Sequence, residues 1–217
     1  MSDSALPALP ELPASARIRA SELIQRSGRV LLGLVGPPGA GKSTLAAVLQ
    51  AEFASVAQVV SMDGFHLANV ELERLGRRDR KGAPDTFDSA GYVALLRRLL
   101  AQADDEVVYA PEFRREIEEP IANAIPVLAR TQLVITEGNY LLLDEGPWTE
   151  VKGLLDEIWY VDVDDTLRVE RLTRRHEQFG RSAEEAAAWV ERTDEPNARL
   201  IEASRARASF IFRWDDE

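Results

Sequence analysis

Cysteine is absent from the 217 residues, and histidine occurs only twice. No disulfide framework, thiolate metal site or cysteine nucleophile can therefore exist. The two histidines, His66 and His176, lack neighbours with metal-ligand spacing, which argues against zinc. Positive charge is also scarce, with 26 Lys and Arg against 37 Asp and Glu, for a net charge of −11. That balance argues against broad contact with nucleic acid or an anionic membrane, both of which want a basic face. No apolar run approaches the roughly 18 residues that a membrane span requires. The N-terminal stretch lacks the basic start and continuous apolar block of a signal peptide, so the expected location is the cytoplasm. There is no Asn-Lys pair, which a guanine-reading Asn-Lys-x-Asp motif would need.

What remains is ordinary for a soluble core-forming chain, with 45% hydrophobic and 29% charged residues. The length suits one α/β domain. Residues 1–13 read as a flexible, Pro-rich tail, and 14–217 as a single domain.

The most informative stretch is Gly36-Pro37-Pro38-Gly39-Ala40-Gly41-Lys42-Ser43-Thr44. It fits G-x-x-x-x-G-K-S/T, the loop that wraps a nucleotide's phosphates. An apolar run ending at Val35 precedes it, and a segment of helical spacing follows, which is the strand–loop–helix setting the motif needs. The glycines let backbone N–H groups turn toward phosphate oxygens, and the helix N-terminus adds partial positive charge. Lys42 is placed to reach the β- and γ-phosphates, and Ser43 to ligate Mg²⁺. The motif predicts binding of a nucleoside triphosphate, with ATP and Mg²⁺ as cofactors.

Further strands are predicted over 57–62, 106–110, 132–137, 157–163 and 209–213, with a small β excursion within 111–128. Helices are predicted over 14–26 (with Ile18, Leu23 and Ile24 on one face), 68–75, 90–103 and 148–155. The helix over 90–103 is capped near Asp88 and carries Tyr92, Leu95, Leu96, Leu99 and Leu100 on its apolar side. A long helix follows Asp164 and Asp165, and another starts near Ala183, interrupted at Asp194-Glu195-Pro196. Strands alternating with helices imply a parallel sheet covered on both faces.

Three features decide the chemistry. Asp63 sits at the end of the second strand, where ligands collect in an open parallel sheet. It can take the proton of an attacking hydroxyl, hold Mg²⁺, or merely cap the next helix. Gly64 beside it is expected to permit close approach of substrate. Glu137 ends a core strand, where a carboxylate needs a cation such as Mg²⁺, or an ion pair with Lys42. Arg171, Arg174, Arg175 and Arg181 form a cationic set suited to a lid over the phosphates around 168–196, or to ion pairs on a wet face. His66 suits a substrate hydrogen bond or a structural role. The charge run Arg77 to Lys81 is either a solvated loop or a basic loop beside an anionic ligand.

Taken together, the P-loop, Ser61-Met62-Asp63-Gly64-Phe65-His66, Ile135-Thr136-Glu137-Gly138-Asn139 and Arg171-Leu172-Thr173-Arg174-Arg175-His176 resemble the uridine kinase, pantothenate kinase and phosphoribulokinase superfamily. Within it the likeness is to bacterial nucleoside/nucleotide kinase-family proteins, over about 28–213. The resemblance implies a P-loop NTPase fold, a three-layer α/β/α arrangement with a mostly parallel central sheet and a helical lid. It implies transfer of the γ-phosphate of ATP to a hydroxyl of a nucleoside, sugar or pantothenate-like molecule. It implies Asp63 as catalytic acid/base and Glu137 as the Walker B-like acid. With the P-loop and the arginine set read above, the expected catalytic residues are Asp63, Lys42, Arg171 and Arg175, and the expected metal contacts Ser43, Asp63 and Glu137. Asp63, His66, Arg114, Glu137, Asn139 and Tyr140 are the implied acceptor contacts. One departure is Phe113-Arg114-Arg115, where the subgroup tends to carry an Asp after the aromatic residue. The rival class is a nucleotide-dependent switch or chaperone acting on a protein partner. A homodimer stays open.

Overall fold

A computed structural model describes residues 9–215. Strands β1 (Val30–Val35), β2 (Ala57–Ser61), β5 (Leu133–Gly138), β6 (Glu157–Val161) and β7 (Phe210–Phe212) form one parallel sheet. Its order is β2-β5-β1-β6-β7. Strands β3 (Val107–Arg114) and β4 (Glu119–Leu128) form a separate antiparallel hairpin. The hairpin takes in the excursion expected within 111–128 together with the strand predicted over 106–110, which pairs with β4 and not with the parallel sheet.

The central strands are buried along their whole length, and period two sends their side chains into two cores. Leu31, Val35, Val134, Ile158 and Tyr160 face one of them. There they meet α4 (Ser89–Leu100), the turn Gly146–Glu150 with α5 (Val151–Leu154), and Ile201 of α8 (Glu195–Glu202). Val30, Leu32, Leu34, Leu133, Ile135, Trp159 and Val161 face the other, against α1 (Ala14–Ile24) and α2 (Lys42–Glu52). The result is the expected three-layer α/β/α fold. Two short helical elements, α3 (Asn69–Arg74) and the turn Arg78–Arg80, and the pair α6 (Asp165–Gln178) and α7 (Ala183–Trp189) complete the chain.

Several local expectations are corrected. Helix α1 buries Ala16, Ala20 and Leu23, while Ile18 is exposed. That i, i+4, i+7 stripe lies on nearly the opposite side of the helix from Ile18, about 140–200° around at roughly 100° per residue. Burying one leucine such as Leu23 contributes about 1.5–3 kcal/mol, so small residues at 16 and 20 that let it seat are favoured. In α4, Val93 takes the buried position expected of Leu100, which is exposed. Asp88 does cap α4, accepting from the Gly91 N–H at 2.8 Å. Asp194-Glu195-Pro196 does not interrupt the last helices. The chain passes through a π-helical turn, Val190–Asp194, into α8, with Pro196 in that helix's first turn. Pro196 has no N–H to continue the ladder, and the π-helical turn falls immediately before the point where that bond is lost. The Pro-rich stretch is packed at its end, where Leu12 is buried in the second core. Its residues 1–8 lie outside the described ones.

Candidate active site

The P-loop leaves β1 at Val35 and enters α2 at Lys42. Gly39 and Gly41 have φ of +82° and +91°, a backbone region that glycine enters freely. At Gly39 a Cβ would stand 2.8 Å from Leu172 Cγ and 2.9 Å from the Arg168 carbonyl, so the loop packs directly on α6. The first N–H groups of α2 have no helical partners and serve anions. Lys42 is buried and donates to the carbonyls of Gly36 at 2.9 Å and Pro37 at 3.1 Å. Burial pulls its pKa down to about 8, against the raising effect of Glu137 and Asp63.

Parallel pairing then assembles the acids. Glu137 on β5 lies opposite Ser61 on β2. Ser61 Oγ donates to Glu137 Oε1 at 2.6 Å and accepts from the Asp63 backbone N–H at 3.1 Å. Behind them, Tyr92 and Thr136 share a buried hydrogen bond of 2.7 Å, and Thr136 Oγ1 donates to the Val60 carbonyl. Glu137 is 6% exposed. Its pKa is raised by burial and by the Asp63 carboxylate, with Lys42 opposing. The expected alternative of an ion pair with Lys42 does not form. Lys42 gives its hydrogen bonds to carbonyls, and the two charges act on each other through space.

Asp63 stands in a short 3-10 turn, Met62–Phe65, at the mouth of the sheet. Arg115 NH2 approaches its Oδ2 at 3.4 Å. His66 Nδ1 donates to the Asp63 carbonyl at 2.8 Å, which leaves Nε2 as the acceptor of a neutral ring. Burial lowers the His66 pKa, in keeping with that neutral form. Its ring packs on Phe87 and Phe113, with centroids 4.0 and 4.5 Å away. Gly64 serves packing rather than substrate approach. A Cβ there would lie 2.4 Å from the Pro111 carbonyl oxygen, so glycine is what lets the hairpin close on the turn.

A cleft of about 1100 Å³ runs over these residues. Pro38, Gly39, Gly41, Lys42, Ser43 and Thr44 line it, with Asp63, His66, Glu137 and Asn139. Gly36 and Pro37 contribute their carbonyls to Lys42 instead, and the Ala40 side chain is buried. From α6, Arg171 and Arg175 reach the cleft, as does Arg181 beyond it. Arg174 does not. It pairs with Glu170 at 3.0 Å on the exposed face, since residues 174 and 175 are about 100° apart around the helix. Arg168 is buried and structural, bonded to Asp165 at 3.0 Å and Glu195 at 2.6 Å.

Two expected acceptor contacts are misplaced. Arg114 is exposed and paired with Glu112 at 2.7 Å, and its neighbour Arg115 enters the cleft. Tyr140 is buried, with its hydroxyl donating to the Gly82 carbonyl, so it anchors a loop. In the charge run, Arg77, Arg78 and Arg80 pair locally with Asp85, Glu73 and Asp85. Lys81 turns inward to Asn69 Oδ1 at 2.8 Å and to the Glu118 carbonyl. The run is thus both a solvated surface and, at Arg78 and Lys81, a cleft wall.

Sequence reasoning passed over Ser61, Arg115 and Asp194. Ser61 carried a signal, a hydroxyl two residues before Asp63 at a strand end. Asp194, accepting from His176 at 2.8 Å, carried none, because the π-turn that aims it inward left no pattern.

The donor set near the P-loop is all oxygen, namely the Ser43 hydroxyl and the Asp63 and Glu137 carboxylates. A buried carboxylate whose proton affinity is raised by a second carboxylate calls for a hard divalent cation, so these residues fit Mg²⁺. Among the described residues no helix is long and apolar enough to cross a membrane.

The model of the phosphoribulokinase / uridine kinase family matches residues 31–214. A Schizosaccharomyces pombe protein called "Putative uridine kinase" is 37% identical over 206 residues, 90% of this chain and 87% of its own. A pantothenate kinase of Nocardioides sp. is 29% identical over 217 residues, covering 85% of this chain and 65% of the relative. The crystal structure of a "putative fructose transport system kinase" from Silicibacter sp. TM1040 superposes with a TM-score of 0.83. It is 36% identical and covers 93% of this chain and 99% of that one.

Proposed function

The chain belongs to the phosphoribulokinase / uridine kinase family of ATP-dependent P-loop kinases, and from that premise we propose that it phosphorylates a hydroxyl of a small molecule, with Asp63 as the base. The acceptor oxygen attacks the γ-phosphorus, its proton passes to the Asp63 carboxylate, and the bond to the β,γ-bridging oxygen breaks to release ADP. The observation that supports this reading is Asp63 lining the cleft with the P-loop, its backbone tied through Ser61 to Glu137.

The other roles follow from position. Lys42 and the α2 N-terminus hold the phosphates, while Arg171 and Arg175 on α6 offset charge on the transferring group. Mg²⁺, held by Ser43 with Glu137 and Asp63, would supply charge neutralisation on the phosphates. The helices between Arg168 and Pro196 act as a lid that excludes water, since a kinase that admits water hydrolyses ATP. His66 Nε2 and Asn139 offer hydrogen bonds to the acceptor.

ADP formation measured with Mg·ATP, with and without a library of hydroxyl compounds, tests the proposal. A kinase shows slow basal turnover that a hydroxyl compound stimulates. Turnover that no hydroxyl compound stimulates, and that a protein partner does, would sink it in favour of a nucleotide-dependent switch.

A further inference from the structure

The cleft wall carries more lysine and arginine than aspartate and glutamate, the reverse of the chain's 26 to 37. The phosphates of ATP account for Lys42, Arg171 and Arg175, which lie on the P-loop side. Arg78 is paired with Glu73, and Arg181 donates to His176 Nδ1 and stacks on Trp189, which leaves Arg115. It comes from the hairpin, a different element, and its charge bears on Lys42, His66, Glu137 and Arg175. Lys42 and Arg175 repel it, and the ion partner it has is Asp63 at 3.4 Å, long for such a pair.

That contact works against catalysis. The Arg115 guanidinium stands against Asp63 Oδ2 at 3.4 Å, where it occupies the approach that an acceptor hydroxyl would need. The conflict ends if Arg115 has a better anion to bind when the acceptor arrives. Arginine suits that task, because its planar fork meets a carboxylate or a phosphate through two parallel hydrogen bonds. The neighbouring cation, Lys81, is already committed to Asn69 and Glu118, so it adds field without competing for the ligand.

Resting on the kinase reading above, we infer that the acceptor is a compact hydroxyl compound that itself bears a carboxylate or phosphate, and that Arg115 selects it. The Arg115 guanidinium and the Asp63 carboxylate lie one contact apart. The anionic group therefore sits within a few bonds of the hydroxyl that is phosphorylated. Binding draws Arg115 onto the acceptor's anion and frees Asp63 to take the hydroxyl proton, while the phosphoryl group passes from ATP to that oxygen and ADP leaves. A neutral nucleoside or sugar leaves Arg115 on Asp63 and reacts slowly.

The test compares matched acceptors with Mg·ATP. A three-carbon hydroxy acid is set against its amide, and a pentose monophosphate against the free pentose and a nucleoside. The wild-type protein is expected to prefer one anionic member over its neutral partner in kcat/KM. The preferred pair then tells carboxylate from phosphate. Arg115→Gln should shrink that preference by roughly tenfold to a hundredfold, the range for losing a hydrogen bond to a charged group. It should do so through the KM for the anionic acceptor, with the KM for ATP nearly unchanged. Arg115→Lys should restore part of it. Arg115 is 42% exposed, so the variants are expected to fold, which a thermal melt checks. A neutral acceptor used as well as its anionic partner, or a preference that Arg115→Gln leaves intact, overturns the inference while the kinase reading stands. If no compound of either class stimulates ADP formation, the kinase reading fails and the inference with it.

Discussion

Ser61 and Glu137 are joined by a 2.6 Å hydrogen bond between opposite positions of neighbouring parallel strands. The same Ser61 hydroxyl receives the N–H of Asp63, so one side chain ties the Glu137 carboxylate to the backbone that carries Asp63. Ser61→Ala should lower kcat by about tenfold or more, since a positioning bond to a charged group is lost. Affinity for the nucleotide should change less than kcat. Steady-state kinetics with ATP and acceptor varied separately would show the split. A kcat within twofold of wild type would remove Ser61 from the site.

Asp63→Asn keeps the volume and one acceptor oxygen but removes the group that takes the proton. A positioned base contributes roughly 10²–10⁴-fold, so kcat should fall by that factor while ATP still binds. If Asp63 acts mainly through the metal, affinity for Mg·ATP weakens in parallel. Nucleotide titration alongside turnover separates the two roles. An unchanged kcat would strike Asp63 from the reaction.

Lys42→Ala removes the ammonium held by the P-loop carbonyls. Losing one preorganised contact of this kind costs on the order of 3 kcal/mol at the transition state, a hundredfold or more in rate. The variant should melt as a folded protein and turn over almost no ATP. Near-normal turnover would contradict the placement of the phosphates.

Arg168 tests the packing of α6 and not the chemistry. It is 2% exposed, with its ion partners on both α6 and α8. Arg168→Ala leaves Glu195 without its cation and opens a cavity under the P-loop turn at Gly39. Breaking a buried pair costs about 3–5 kcal/mol, and Asp165 is exposed, so the lower end applies. Urea unfolding measures it. A loss below about 1 kcal/mol would mean that apolar contacts alone hold the helix.

Glu157 gives a pH signature. Burial raises its pKa, but bonds from Arg19 at 2.7 Å and Trp159 Nε1 at 3.0 Å outweigh that and hold it below the ordinary carboxylate value. A lowered folded pKa means that the ionised group's contribution is fully present above the unfolded value. That contribution is lost as pH falls through the folded one. Glu157→Gln should therefore destabilise the protein by about 1–3 kcal/mol at pH 7. The gap from wild type should close as the pH drops below the ordinary glutamate range. A gap that stays constant into acid would show that packing, not charge, is at stake.

The sequence by itself determined the P-loop, the strand-end acids Asp63 and Glu137, and the alternation that makes a parallel sheet. Those features are local. A glycine-rich turn, a strand ending in an acid and a period-two run are each written within a few consecutive residues. Periodicity also marked α6, but not which of its arginines would face inward, since neighbouring positions differ by about 100° and the answer depends on where the helix docks.

Tertiary structure decided the rest through register. Arg114 and Arg115 are adjacent, and a strand sends adjacent side chains to opposite faces. The pairing of β3 with β4 shifts by two residues between Ala110 and Glu112, and β3 ends at Arg114, so Arg115 opens the hairpin turn and is released from the strand's alternation. Arg115 therefore reaches Asp63, while Arg114 stays on Glu112 at the surface. Ser61 meets Glu137 for the same kind of reason, because β2 and β5 align residues 76 positions apart. No local pattern encodes a pairing partner that distant. It is settled only when burying both faces of the sheet selects one strand order and one register.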